Sequence, residues 1–214
     1  MSMRMQLMRS ILLLSIAFST LRVSASQGGT TGAPSPQVPA SAATQGRLTL
    51  TSSAFSDYGA LPLKYAPNSA AVVTFDATSP PLAWTNPPAR TVSFVLTMTD
   101  MESSMGDNPQ DVLLWMVVNI PNNATSRLLA EGVPRGRTSM LPEGAFHRSF
   151  LTNGYLGPQP GANLHSHHYL FELYALDTIL DLPRDVTLDQ LRTAMKGHQT
   201  GRAPLVATCC VASK

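Results

Sequence analysis

Charge is scarce in this chain. Asp, Glu, Lys and Arg make up 13% of its 214 residues, where an average globular protein carries about 25%. A long disordered polyelectrolyte is therefore excluded. Cysteine is scarcer still: Cys209 and Cys210 are the whole supply, and two neighbours cannot staple distant segments into a disulfide scaffold. No apolar run approaches the ~20 residues of a membrane-spanning helix, and no self-similarity at a period of roughly 20–50 residues points to a solenoid or propeller. Catalytic signatures are missing as well. There is no Gly-x-Ser-x-Gly elbow, no His-Glu-x-x-His, no Walker loop and no Gly-x-Gly-x-x-Gly opening a helix. Without an activated nucleophile or an organised triad, a hydrolase using Asp and His is disfavoured, and neither an enzyme nor a cofactor is expected.

What is present begins with a processing segment. Arg4 and Arg9 precede the apolar run Ser10 to Phe18, and Val23-Ser24-Ala25 supplies small residues for cleavage. This is the layout of a secretory signal peptide over residues 1–25, with an uncleaved anchor as the alternative because Arg22 lies close to the site. Cleavage would remove three arginines and no acid. The fifteen basic residues then fall to twelve against thirteen acids, a balance of −1. No basic footprint for nucleic acid or an anionic membrane surface remains. Secretion is thus expected, with no transmembrane anchor. The sequon Asn123-Ala124-Thr125 follows an apolar strand and offers a glycosylation site at Asn123.

Residues 26–46 are Ser, Thr, Gly, Pro and Gln with hardly a large apolar side chain. They read as a flexible leader, because they bury too little to offset their ordering entropy. A folded domain spans 47–214 and reads as mainly β. Leu48 and Leu50 alternate with threonines. Thr91 to Thr99 alternates Val92, Phe94, Leu96 and Met98 with smaller residues. Val112 to Ile120 is continuously apolar, as in a strand buried on both faces, and Tyr169 to Leu176 is rich in aromatics. One helix is signalled by Thr187 and Gln190 as a capping box, a stripe of Leu188, Leu191, Ala194 and Met195, and Gly197 as the stop. Many strands and a late helix predict an antiparallel β-sandwich with a few peripheral helices. The strand-like run Leu205 to Val211 would send Cys209 and Cys210 to opposite faces. Burial of one as a small apolar residue is favoured over a vicinal disulfide, with intermolecular pairing as the sharper alternative.

Two clusters could carry chemistry. Asp100 to Ser104 (DMESS) follows an apolar strand, and Gly154 to Tyr169 is a Gly/Pro-rich loop that delivers His165, His167 and His168 into the next strand. Alternation puts His165 and His167 on one face and His168 on the other. The spacing matches no strong zinc signature, so no metal site is expected. A carboxylate facing an imidazole across a small hollow suits an anionic or zwitterionic headgroup instead, with ring and backbone N–H groups donating to phosphate oxygens.

At these clusters the sequence resembles the phosphatidylethanolamine-binding protein (PEBP) family, in its bacterial-type branch, from about Leu48 to Val211. The resemblance rests on several motifs in one order. Ser52-Ser53-Ala54-Phe55 with Gly59, Leu61-Pro62 and Tyr65 comes first, then Ser79-Pro80-Pro81-Leu82-Ala83-Trp84 with Pro88 and Ser93-Phe94. Trp115 to Pro121 (WMVVNIP) follows. Gly154-Tyr155-Leu156-Gly157-Pro158-Gln159-Pro160 leads to His167, Tyr169, Phe171 and Tyr174-Ala175-Leu176-Asp177, and Gly197-His198 closes the set. The resemblance implies a non-enzymatic binder of phospholipid headgroups or small anions, or else an inhibitor of serine peptidases (carboxypeptidases) acting through surface loops. It places Asp100, Glu102, Ser104, Leu114, Tyr155, Gly157, Pro158, Gln159 and His167 around the ligand pocket. Asp100 would orient His167, while Tyr155, Gly157, Pro158 and Gln159 would form one wall.

The departures are specific. The family's Asp-Pro-Asp-Ala-Pro loop is Asp100-Met101-Glu102-Ser103-Ser104 here, without either proline, and this predicts a looser loop. The pocket histidine expected before Trp115 is Leu114, the arginine after the loop histidine is His168, and the second loop proline is Gly161. Replacing a histidine by leucine removes a donor worth about 1.5–3 kcal/mol to a bound phosphate, so weakened anion binding is expected.

Overall fold

Alternating burial along short extended segments builds the molecule. The computed structural model describes residues 46–66, 77–103, 112–123, 125–136, 141–158 and 166–209, all within the unit 42–214. The strands are β1 (Thr49–Thr51), β2 (Gly59–Ala60), β3 (Leu82–Thr85), β4 (Ser93–Asp100), β5 (Val112–Pro121), β6 (Leu128–Leu129), β7 (Phe146–Arg148), β8 (His167–Leu176) and β9 (Gln199–Cys209). They form a three-stranded sheet, β1-β3-β6, and a six-stranded sheet, β2-β9-β8-β4-β5-β7. Every strand pairing is antiparallel except β2 with β9. The fold is thus the mainly β sandwich that the alternation predicts.

The main core lies between the sheets. Leu50, Leu82, Trp84 and Leu129 of the small sheet share one buried cluster with Phe94, Leu96, Trp115, Tyr169, Phe171 and Leu205 of the large one. Side chains on the opposite face of the large sheet, among them Val95, Met116 and Leu176, form a second cluster with Leu191 and Met195. Those two come from α1 (Leu188–Ala194) and its C-terminal residue. The helix begins where its capping box requires: the Gln190 amide donates to Thr187 Oγ1, and the Thr187 amide donates to Gln190 Oε1. A 3-10 turn, Leu63–Tyr65, is the other helical segment among the described residues. No helix among them is long and apolar enough to cross a membrane.

Three local features depart from simple alternation. β5 is buried on both faces as expected, but its register against β4 slips between Leu113 and Trp115, so Leu114 is an extra residue in a β-bulge. The bulge turns Leu114 and Trp115 together into the inter-sheet core. In β9, Pro204 pairs with Glu172 on the β8 side. Its missing N–H costs nothing on the other side, because β2 reaches only Ala207 and Thr208. Cys209 is buried, as expected, but it is also disulfide-bonded, the outcome judged less favourable from sequence. Cys210, the one other cysteine of the sequence, lies outside the described residues.

Candidate anion-binding site

The site follows from strand register. Asp100, the last residue of β4, stands directly opposite Tyr169 on β8. Cross-strand partners project to the same face, and His167 lies two residues from Tyr169, so all three point into the sandwich. His168, one residue on, points to the outside, as alternation predicts.

Asp100 and His167 are each 4% exposed. The His167 Nδ1–H donates to Asp100 Oδ2 at 2.9 Å. This bond fixes the proton on Nδ1 and turns Nε2 into the ring nitrogen available to a ligand. The same carboxylate accepts the amides of Glu102 and Ser103 on Oδ1, each at 3.0 Å, and the Ser103 hydroxyl on Oδ2 at 2.9 Å. These bonds correct the expectation of a loose loop over its described part, 100–103. Met101 also donates its amide to the His168 carbonyl at 3.0 Å, a ladder bond that proline could not make. The prolines are gone, and hydrogen bonds hold the segment in their place.

Tyr169 completes the set, and sequence reasoning did not single it out as a site residue. Its ring stacks on His167 with centroids 6.3 Å apart. Its hydroxyl is fully buried, with the Asp100 carboxylate as the acceptor within its reach. Burial, and then the negative charge of Asp100, push the phenol well above its ordinary range, so it stays a protonated donor. The signal that could have found it is the i, i+2 spacing from His167.

The other expected residues divide. Leu114 is 6% exposed within the main core. Gly157 and Pro158 are buried. Tyr155 is buried too, but it spends its hydroxyl on the Tyr65 carbonyl at 2.8 Å and packs edge-on against Trp115. That makes it scaffold for the wall rather than a free donor. Glu102 turns outward, where its carboxylate takes both the amide and the Nδ1 of His168, at 2.7 and 2.6 Å. Ser104 and Gln159 lie outside the described residues, as does His165. Asn123 is exposed, with its Oδ1 accepting the Thr125 hydroxyl at 2.9 Å.

One atom each from Asp100, Glu102 and His167 lies within 4.8 Å of the other two, a spacing that could hold a cation. Four hydrogen bonds already use the Asp100 oxygens, and His168 holds Glu102. A metal would have to strip these partners before it gained a ligand. Nε2 of His167, which becomes a donor when the ring is protonated, and the Tyr169 hydroxyl are suited to an anion.

Comparison with known proteins gives the family. The family model described as phosphatidylethanolamine-binding protein matches residues 51–210. The chain belongs to the phosphatidylethanolamine-binding protein family. Within the PEBP family its relatives are of the bacterial type. A UPF0098 protein of Methanothermobacter thermautotrophicus is 36% identical over 163 residues, 74% of this chain and 96% of the relative. The UPF0098 protein YbhB of Escherichia coli is 38% identical over 104 residues, 48% of this chain and 61% of its own length. Among solved structures, the PEBP homologue CT736 of Chlamydia trachomatis superposes with a TM-score of 0.63 at 29% identity, covering 77% of this chain and 97% of its own. Escherichia coli YbcL gives a TM-score of 0.67 at 24% identity, over 78% of this chain and all of its own, a likeness of fold.

Proposed function

We propose that this PEBP is a secreted, non-enzymatic binding protein whose inner site takes a small anion, in particular the phosphoryl group of a lipid headgroup. The observation that carries the reading is the buried Asp100–His167–Tyr169 set. It has one ring nitrogen left over, and it buries a phenol beside the Asp100 carboxylate. When His167 is protonated, Asp100 balances its charge and Nε2 donates a charge-assisted bond to a phosphate oxygen. Each of the paired side chains keeps only 5% of its surface open, which favours a compact anionic group over an extended ligand. The amino-terminal segment supports secretion, and the exposed Asn123–Thr125 pair supports glycan attachment there. Inhibition of a serine peptidase has no observation of its own among the described residues.

Calorimetric titration of phosphorylethanolamine into the protein and into His167→Ala tests the reading. The protein should bind saturably and His167→Ala at least tenfold more weakly. Equal weak binding by the two would overturn it.

A further inference from the structure

Among the described residues, the outer face of the large sheet is covered at one end only. α1 seals the region around Val95, Met116 and Leu176. Towards the other end, Leu170 of β8 and Val206 of β9 floor a separate cleft of about 450 Å³, within the usual size of small-molecule sites. This cleft lies behind the inner site. His168 and Glu102 line it, each next but one or adjacent in sequence to the residues that face inward.

Its far wall is built rather than incidental. The turn bearing Asp57 and Tyr58 is clamped to β9 by two reciprocal bonds: the Tyr58 amide donates to the Val206 carbonyl at 2.7 Å, and the Val206 amide donates to Asp57 Oδ1 at 2.8 Å. The clamp holds Tyr58 at φ +57, a left-handed conformation that a bulky aromatic residue rarely adopts. Held in this way, Tyr58 is 66% exposed, and Met101 across the cleft is 51% exposed. Strain that keeps a large ring at the mouth of a cavity is the kind that accompanies ligand contact.

The charge on the lining has one dominant sign. Among the described residues that line the cleft, Asp57 and Glu102 contribute two carboxylates, none is a lysine or arginine, and the one titratable cation is His168, already held by Glu102. Protonation of that imidazole still leaves one negative charge in excess. An aromatic ring beside one uncompensated carboxylate over an apolar floor complements an ammonium group carried on an apolar body. We propose that this outer cleft binds a small organic amine in its cationic form, with Tyr58 and Asp57 receiving the ammonium and Leu170, Val206 and Met101 receiving the apolar part. The site is independent of the anion reading, because it lies on the other face of β8.

The test is calorimetric titration of phenethylammonium into the protein, with 2-phenylethanol as the uncharged probe of the same shape. The amine should bind saturably and at least tenfold more tightly than the alcohol. Asp57→Asn keeps the acceptor for the Val206 amide and removes the charge, and Tyr58→Asn tolerates the left-handed backbone and removes the ring. Each should weaken the amine at least fivefold without moving the melting temperature, while His167→Ala leaves amine binding unchanged. Equal affinity for amine and alcohol, no saturable amine binding, or loss of amine binding in His167→Ala with none in Asp57→Asn would overturn the proposal.

Discussion

Tyr169 and Leu114 set opposite demands on the inner site. The Tyr169 hydroxyl is buried beside the Asp100 carboxylate, so removing it takes away a donor. Tyr169→Phe should therefore lower the unfolding free energy by about 1 kcal/mol and lower affinity for phosphorylethanolamine. Denaturant melts paired with titration check this, and a variant that keeps its affinity would contradict it. Leu114 fills the bulge position where the family pattern has a histidine. Leu114→His should gain about tenfold or more in phosphate affinity, from a bond worth about 1.5–3 kcal/mol. It should also lose stability, because a polar ring then enters the main core. An unchanged affinity in a folded variant would mean that position 114 does not reach the anion.

At the scale of elements, the site depends on how β8 and its approach are anchored. Gly154 opens that approach at φ +151, where an added Cβ would come within 3.0 Å of the Arg135 backbone. Arg135 in turn donates its Nε–H to the Tyr155 carbonyl at 3.0 Å. Gly154→Ala should thus cost about 1–3 kcal/mol in strain and weaken anion binding together with stability; a fully stable variant in urea titration would contradict this. The capping box offers a contrast. Thr187→Ala should cost about 1 kcal/mol and leave both ligand affinities untouched, since α1 covers neither site. The strands and the helix were legible because their signals are local. Alternation marks β4 and β8, and Thr187 with Gln190 marks the start of α1. The bulge at Leu114 and the outward turn of Glu102 were not, because each is decided by a partner strand or side chain far away in sequence. Asp100 and His167 lie 67 residues apart; only the family resemblance brought them together before the register of β4 against β8 was known.

Across the whole molecule, buried tyrosines set the response to alkali. Burial raises Tyr155 and Tyr169 above the ordinary phenol value of 10.0. The unfolded chain therefore releases protons above pH 10 that the fold retains. Stability should be flat below pH 10 and fall as pH rises beyond it, by up to about 1.4 kcal/mol per pH unit for each buried phenol. Urea midpoints between pH 8 and 11.5 measure this, and the slope should be smaller in Tyr169→Phe. A flat profile to pH 11.5 would show that neither phenol is shielded in solution.

The central claim is that the imidazole fixed by Asp100 receives the anion. Ring nitrogen–proton correlation spectra of the five histidines, recorded while inorganic phosphate is added, test it most directly. The account predicts saturable movement of both His167 ring nitrogens, with His168 on the opposite face nearly still. Movement of His168 alone, or of no histidine at phosphate concentrations that calorimetry shows to be saturating, would contradict it.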